Sequence, residues 1–263
     1  MPYRIDLPQP PDRAFDILVE LGALDVEETQ GSLSAILPDS VPVETVASRL
    51  GLPGVDASEA VGRDDDSVWM LTPRPVQAGT FLIVPAGRPA PPGALVLAES
   101  SAFGTGLHPT TVLCLEVIEE LLAQSTFPRL LDVGTGSGIL ALAALQRGVE
   151  TAVGLDVDPA AVQVAVENAR LNGFGDRFLG VCGSAGAVDG AWPLIVANIR
   201  AAELIEIAPL LVRRLSSRGS LVLSGIQESM SAEVSRAYRR MGPTQVAMDE
   251  RGGWVVLGFR AAW

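Results

Sequence analysis

Apolar and polar positions change rhythm along this chain. In the first sixty residues short alternating runs are interrupted by helical spacing. YRIDL, at 3–7, predicts a strand, and Pro11–Glu20 predicts a helix with Phe15, Leu18, Val19 and Leu21 on one stripe. ALDVEETQ and SLSAILP follow as strands meeting at a Gln30-Gly31 hairpin turn. Pro42–Leu50 predicts a second helix, and Gly54–Val61 a further strand. A sheet covered by two helices is the simplest packing, similar to a ferredoxin-like unit.

Residues 62–93 lose that rhythm. GRDDDS is acidic, TPRPVQAG and GRPAPPG are rich in breakers, and only TFLIVPA between them predicts a short strand. The prolines favour a semi-rigid spacer, serving as a hinge or a strut.

From Ala94 apolar strands alternate with helices. RLLDV leads to a helix from Ser137, TAVGLDV to a helix over Pro159–Leu171, and DRFLGVC adds a strand. WPLIVANI leads to a helix over Ala201–Leu215, and GSLVLSGI to one over Ser231–Arg240. PTQVAMDE and GWVVLGF close the chain as a hairpin about RGG. Such alternation predicts an α/β fold: a mostly parallel, Rossmann-like sheet with helices on both faces and an antiparallel edge strand. The expected organisation is a small α+β domain over 1–61, a connector over 62–93 and a sheet domain over 94–263.

Composition adds exclusions. The chain is 48% hydrophobic, ample for a core, yet no apolar run approaches the length of a membrane span. The first residues lack the basic and apolar regions of a secretory signal. Two cysteines, Cys114 and Cys182, and one histidine are too few for a disulfide framework or a structural zinc site. A cytoplasmic protein without membrane or metal is expected.

Net charge is −12, and arginine supplies all 19 basic residues. Residues 1–66 hold 14 acidic side chains against four arginines, a net of −10; residues 67–263 hold 17 against 15. The acidity is a solvated surface or a docking face for a basic partner. It disfavours bare nucleic acid as that segment's partner.

Candidate chemistry gathers in two glycine-rich stretches, SAFGTGLHPTT at 101–111 and LLDVGTGSGIL at 130–140. The second follows a strand and opens a helix. Gly134, Gly136 and Gly138 permit a tight turn and close backbone approach to a ligand. Asp156 ends the next strand, where a carboxylate accepts from both hydroxyls of a ribose. Asp132 holds the loop or approaches the ligand's amino group. The pattern also borders on a dinucleotide site, but G-x-G-x-G is not G-x-G-x-x-G, and no P-loop lysine follows. Asn198, ending WPLIVAN, offers an amide oxygen that accepts from an amine, or serves as a helix cap.

With these residues in view, the sequence resembles the class I S-adenosylmethionine-dependent methyltransferases. More narrowly it resembles the PrmA family, which methylates large-subunit ribosomal protein L11. AFGTGLHPTT, LLDVGTGSGILALAAL, GLDVDPAAVQVAVENARLNG, VANI and LSGI carry the resemblance, and the first is the specific one. By position the resemblance implies that Thr111 contacts S-adenosylmethionine, Gly134 and Gly136 lie beside it, Asp156 holds its ribose and Asn198 stands by the methyl donor. Thr105 and His108 shape the first loop as a clasp over the cofactor. His108 supplies a loop-ordering hydrogen bond rather than a base. Phe103 shields the sulfonium or packs in the core. The acidic N-terminal domain would dock the basic ribosomal protein, with no direct nucleic-acid readout. Lysine side chains and an N-terminal α-amine would be the methyl acceptors.

Three positions depart from the family pattern. Trp69 stands alone in a connector without lysine, Trp192-Pro193 replaces an early aspartate, and Arg200 follows ANI; the last two are expected at the active-site rim. A methyltransferase for another protein lysine or a small amine, and a non-catalytic binding module, are the alternatives. Amide and adenine methyltransferases would need Asn-Pro-Pro-aromatic where ANIR stands.

Overall fold

The computed structural model describes residues 1–29, 31–64, 68–100 and 102–263. It forms two compact units, Met1–Pro73 and Arg74–Trp263, so the chain divides inside the stretch read as a connector.

The first unit runs β1 (Tyr3–Leu7), α1 (Ala14–Glu20), β2 (Asp25–Thr29), β3 (Ser32–Leu37), α2 (Val43–Leu50) and β4 (Ala57–Glu59). The sheet has the order β2-β3-β1-β4 and is antiparallel throughout. Alternation in β1 drives Ile5 and Leu7 inward, onto Leu18, Leu33, Leu37 and Val46. The stripe expected on α1 is corrected. The helix starts at Ala14 and buries Ala14 and Leu18, leaving Phe15 and Val19 exposed at 46% and 53%. A helix of seven residues sinks only one narrow line of positions, and Phe15 and Val19 fall on the next line round. Gly31 adopts φ +83°, as a hairpin turn requires, while its partner Gln30 lies outside the described residues. Gly62–Arg63 (β5) and Val68–Trp69 (β6) form a short ladder, and the acidic residues 65–66 between them also lie outside the described residues.

The second unit opens with a three-stranded sheet, β7 (Val76–Ala78), β8 (Phe81–Pro85) and β9 (Leu95–Leu97); only β8 was expected. A 16-residue helix follows, α3 (Pro109–Gln124), which the sequence pattern did not announce. Then come β10 (Arg129–Val133), α4 (Ile139–Gln146), β11 (Thr151–Asp156), α5 (Pro159–Leu171), β12 (Phe178–Cys182), β13 (Trp192–Asn198), α6 (Ala201–Arg214), β14 (Leu215–Gln227), α7 (Glu228–Arg239), β15 (Thr244–Arg251) and β16 (Trp254–Arg260). The sheet order is β12-β11-β10-β13-β14-β16-β15. The first five strands are parallel, and β16 runs antiparallel to both β14 and β15, so the expected hairpin forms that edge.

Continuous apolar strands serve both faces, as a doubly wound sheet demands. Leu130, Leu194, Val196 and Val222 enter one core with α3, α4 and α5; Leu131, Ile195, Ala197 and Leu221 enter the other with α6 and α7. Helix α4 is buried at seven of its eight residues because it lies against β10 and β11 and also against α3 and β9. That enclosure explains why ILALAALQ has almost no polar face. No described helix is long and apolar enough to cross a membrane.

Candidate active site

Strands β10 and β13 are neighbours, yet the chain leaves β10 toward β11 and leaves β13 toward β14. This reversal opens a crevice at the carboxyl ends of the two strands. Gly134 follows β10, Asn198 ends β13 and Asp156 ends β11, so the fold brings three residues named from the sequence to one sheet edge.

The turn after β10 is fixed by its own backbone. Gly134, Gly136 and Gly138 have φ of +73°, +53° and +82°, a region disfavoured for side chains. The amides of Gly134 and Thr135 both donate to the Leu155 carbonyl at 2.8 Å, tying the turn to β11. Asp156 then grips it from the side: Oδ2 accepts from the Gly136 amide at 3.0 Å, and Oδ1 from the Asp158 amide at 3.0 Å. Each carboxylate oxygen keeps a further lone pair, so the group retains capacity for two ribose hydroxyls.

The 102–108 segment lies directly on this turn. The Ser137 amide donates to the Phe103 carbonyl at 2.9 Å, and Ser137 Oγ donates to the Gly104 carbonyl at 2.7 Å. A Cβ at Gly136 would meet the Phe103 oxygen at 2.5 Å, so the two loops touch through backbone. Thr105 Oγ1 accepts from the Leu107 amide at 3.4 Å, a contact that shapes the segment from within.

His108 ends the segment as the N-cap of α3. Its Nδ1 accepts from the Thr110 amide at 3.3 Å and lies 2.7 Å from Thr110 Oγ1. An amide only donates, so Nδ1 carries no proton and the hydroxyl donates to it as well. The ring is held edge-to-face by Phe103 and Trp254, with centroids at 5.3 Å and 4.9 Å. The histidine is a structural pin; Phe103 packs on it rather than standing isolated over the crevice.

Three buried side-chain oxygens here have no hydrogen-bond partner: Thr111 Oγ1, Asp132 Oδ1 and Asn198 Oδ1. Buried polar atoms are ordinarily satisfied, so these three oxygens keep unused hydrogen-bonding capacity, as do buried atoms of Gln146, Trp192, Arg214 and Ser220 elsewhere in the fold. Asp132 is fully buried, and its other oxygen accepts from Thr135 Oγ1 at 2.8 Å. Burial raises its pKa to about 7, opposed by the Thr135 hydroxyl and the Ala141 amide at the start of α4 and reinforced slightly by the Asp156 charge. Of the two roles expected for Asp132, holding the loop is visible, and one oxygen remains available for the other. Burial likewise raises the Cys114 thiol pKa, so it stays protonated beside Ser224 and Asp132.

One of the two rim expectations changes. Trp192 starts β13 while Asn198 ends it, so at about 3.3 Å per residue the indole stands roughly 20 Å from the crevice, under the Arg129 guanidinium. Arg200 does sit beside the site, but as an exposed residue paired with Glu203 at the start of α6. Sequence reasoning passed over Ser137, Asn168 and Trp254. The doubled asparagine of ENARLNG, four residues apart on one helix face, was the available signal for Asn168. Gly225 (φ +81°) was also passed over; a Cβ there would run into the backbone of Ile199.

The sequence model of a family described as ribosomal protein L11 methyltransferase (PrmA) matches residues 34–262. A ribosomal protein L11 methyltransferase of Chromohalobacter salexigens is 42% identical over 80% of this chain and 71% of its own length. One from Sorangium cellulosum is 33% identical over 98% of this chain and 94% of its own. The crystal structure of ribosomal protein L11 methylase from Lactobacillus delbrueckii subsp. bulgaricus superposes with a TM-score of 0.65 at 30% identity, covering 72% of this chain and 99% of that one.

Proposed function

The chain belongs to the ribosomal protein L11 methyltransferase (PrmA) family, and from that premise we propose that it transfers the methyl group of S-adenosylmethionine to amino groups of ribosomal protein L11, on lysine side chains and the N-terminal α-amine. The observation that carries this reading is the crevice itself: Asp156 aimed at the glycine turn, with the unpartnered Asn198 Oδ1 across the switch point.

The cofactor, when bound, supplies an electrophilic methyl group on a positively charged sulfur. Thr111, Gly134, Gly136 and Asp156 would hold it, Asp156 through the ribose hydroxyls. Phe103 and Thr105 would act through the clasp. Asp132 Oδ1 lies buried below the turn and suits an ammonium or water contact. Asn198 is the residue for the acceptor: its amide oxygen receives an amine N–H and turns the nitrogen lone pair toward the methyl group. Holding nucleophile and carbon at about 3–3.5 Å in line contributes most of the acceleration. An ammonium has no lone pair, and a free lysine has a pKa of about 10.4, so the crevice must favour the neutral amine. Exclusion of water does this without a dedicated base, in keeping with the pinned state of His108.

The acidic first unit provides the encounter surface for a basic protein, and its charge repels bare nucleic acid. A cytoplasmic setting follows from such a substrate.

Radiolabelled S-adenosylmethionine, purified L11 and the purified chain test the proposal together. Label should appear in L11 and be released as methylated lysine and N-terminal residue on hydrolysis. Asn198→Ala should lower kcat by roughly 10- to 100-fold with little change in cofactor Kd. Label in other proteins or small amines but not in L11 would favour the alternative substrate. No label together with no binding of S-adenosylmethionine by calorimetry would favour a binding module.

A further inference from the structure

We infer that Ser137 and Asn168 are positioning residues that lock the 102–108 clasp onto the glycine turn and thereby set cofactor affinity, acting from behind the site. The inference rests on the reading above, that the two loops enclose S-adenosylmethionine.

Asn168 lies on α5, fully buried. Its Oδ1 accepts from the Ala98 amide at 2.7 Å, just past the end of β9. Its Nδ2 donates to the Ser137 carbonyl at 2.8 Å, inside the glycine turn. Ser137 then continues outward, its amide donating to Phe103 O at 2.9 Å and its hydroxyl to Gly104 O at 2.7 Å. Four hydrogen bonds thus join the strand before the clasp, helix α5, the turn and the clasp in one unbroken chain. One helical turn on, Asn172 secures the same strand, accepting from Val96 N at 2.8 Å and donating to Val96 O at 2.7 Å.

The chemistry of each residue is specific to this task. Asn168 must accept from an amide and donate to a carbonyl at once, and among side chains of that size only a primary amide does both. An aspartate there would turn an acceptor toward the Ser137 carbonyl. Ser137 has its amide and hydroxyl engaged by the clasp and its carbonyl by Asn168.

A clasp held open to fluctuation pays its ordering entropy when the ligand arrives; a clasp already tied down does not. Loss of either tie should therefore appear in cofactor affinity. A residue that merely glues α5 to the sheet would instead lower stability and kcat and raise the KM of both substrates together.

The experiment uses the full chain with Ser137→Ala and Asn168→Asp, with S-adenosylmethionine as the calorimetric probe and L11 as the second substrate. The expected result is a rise in cofactor Kd and cofactor KM of about tenfold or more, with the KM for L11 unchanged and faster hydrogen exchange at the amides of 104–107. Cofactor Kd values within about twofold of wild type overturn the inference, as does a parallel rise of both KM values with a fall in kcat. Should Asn168→Asp fail to fold, Ser137→Ala, which removes a single hydroxyl, decides alone. A wild-type chain that binds no S-adenosylmethionine overturns the functional reading along with this one; tight wild-type binding kept by the variants overturns only this one.

Discussion

The two glycine-rich loops solve the same problem by opposite means. The 134–138 turn takes its shape from three positive-φ glycines of its own and is then held by the adjacent strand β11, with two amides on the Leu155 carbonyl and one on the Asp156 carboxylate. The 102–108 clasp borrows its shape, from Ser137 on the turn, from Trp254 on β16 and from the cap that His108 makes for α3. A loop built from local backbone preferences is announced by its own sequence. A loop built from distant side chains is not. The contrast also predicts different failures, since damage to the turn must spread to the clasp, whereas damage to the clasp should stay there.

The harshest test is Gly136→Val. Its Cβ would press on the Phe103 carbonyl at a position with φ +53°, so turn and clasp must part. S-adenosylmethionine affinity should fall by roughly 100-fold or more, about 2.7 kcal/mol, by calorimetry. Near wild-type affinity would show that the loops are independent and dissolve the comparison.

Acidity offers a subtler probe of the turn. Asp132 has its pKa raised by burial to about 7 in the folded protein, against about 3.9 for an unfolded chain. Between those values the folded state holds a proton that the unfolded state has lost. Unfolding free energy should therefore fall as pH climbs from about 4 to about 7, by up to about 1.4 kcal/mol per unit, and level off above. Asp132→Asn should remove this contribution in chemical denaturation across pH; an unchanged profile would mean that the turn does not rest on this carboxyl.

The mildest change belongs to the clasp. His108→Ala deletes the cap of α3 and both ring contacts and should cost about 1 kcal/mol of stability. His108→Asn, which keeps a capping oxygen, should restore most of the stability while leaving the clasp looser by hydrogen exchange. Equal losses in both variants would assign the effect to the aromatic packing alone.

Legibility followed the same division. Parallel strands, the order of helices after β10 and the placement of Asp156 and Asn198 could all be read, because each depends on periodicity and on residues at element ends. Helix α3 escaped notice because seven of its residues are buried, which erases the amphipathic stripe, and because histidine is an uncommon cap. Strands β7 and β9, three residues each, are too short for alternation to register. Phe15 and Val19 followed the expected period but not the expected burial, since period alone does not say which of two adjacent lines faces the sheet. The orphaned oxygens of Thr111, Asp132 and Asn198 are properties of packing and have no sequence signature.

Trp254, with its indole 4.9 Å from the imidazole of His108, gives the protein an optical gauge of its own. Any displacement of the clasp alters what surrounds that chromophore. In a chain whose other tryptophans, Trp69, Trp192 and Trp263, are replaced by phenylalanine, its emission would follow clasp motion in real time, without an attached dye.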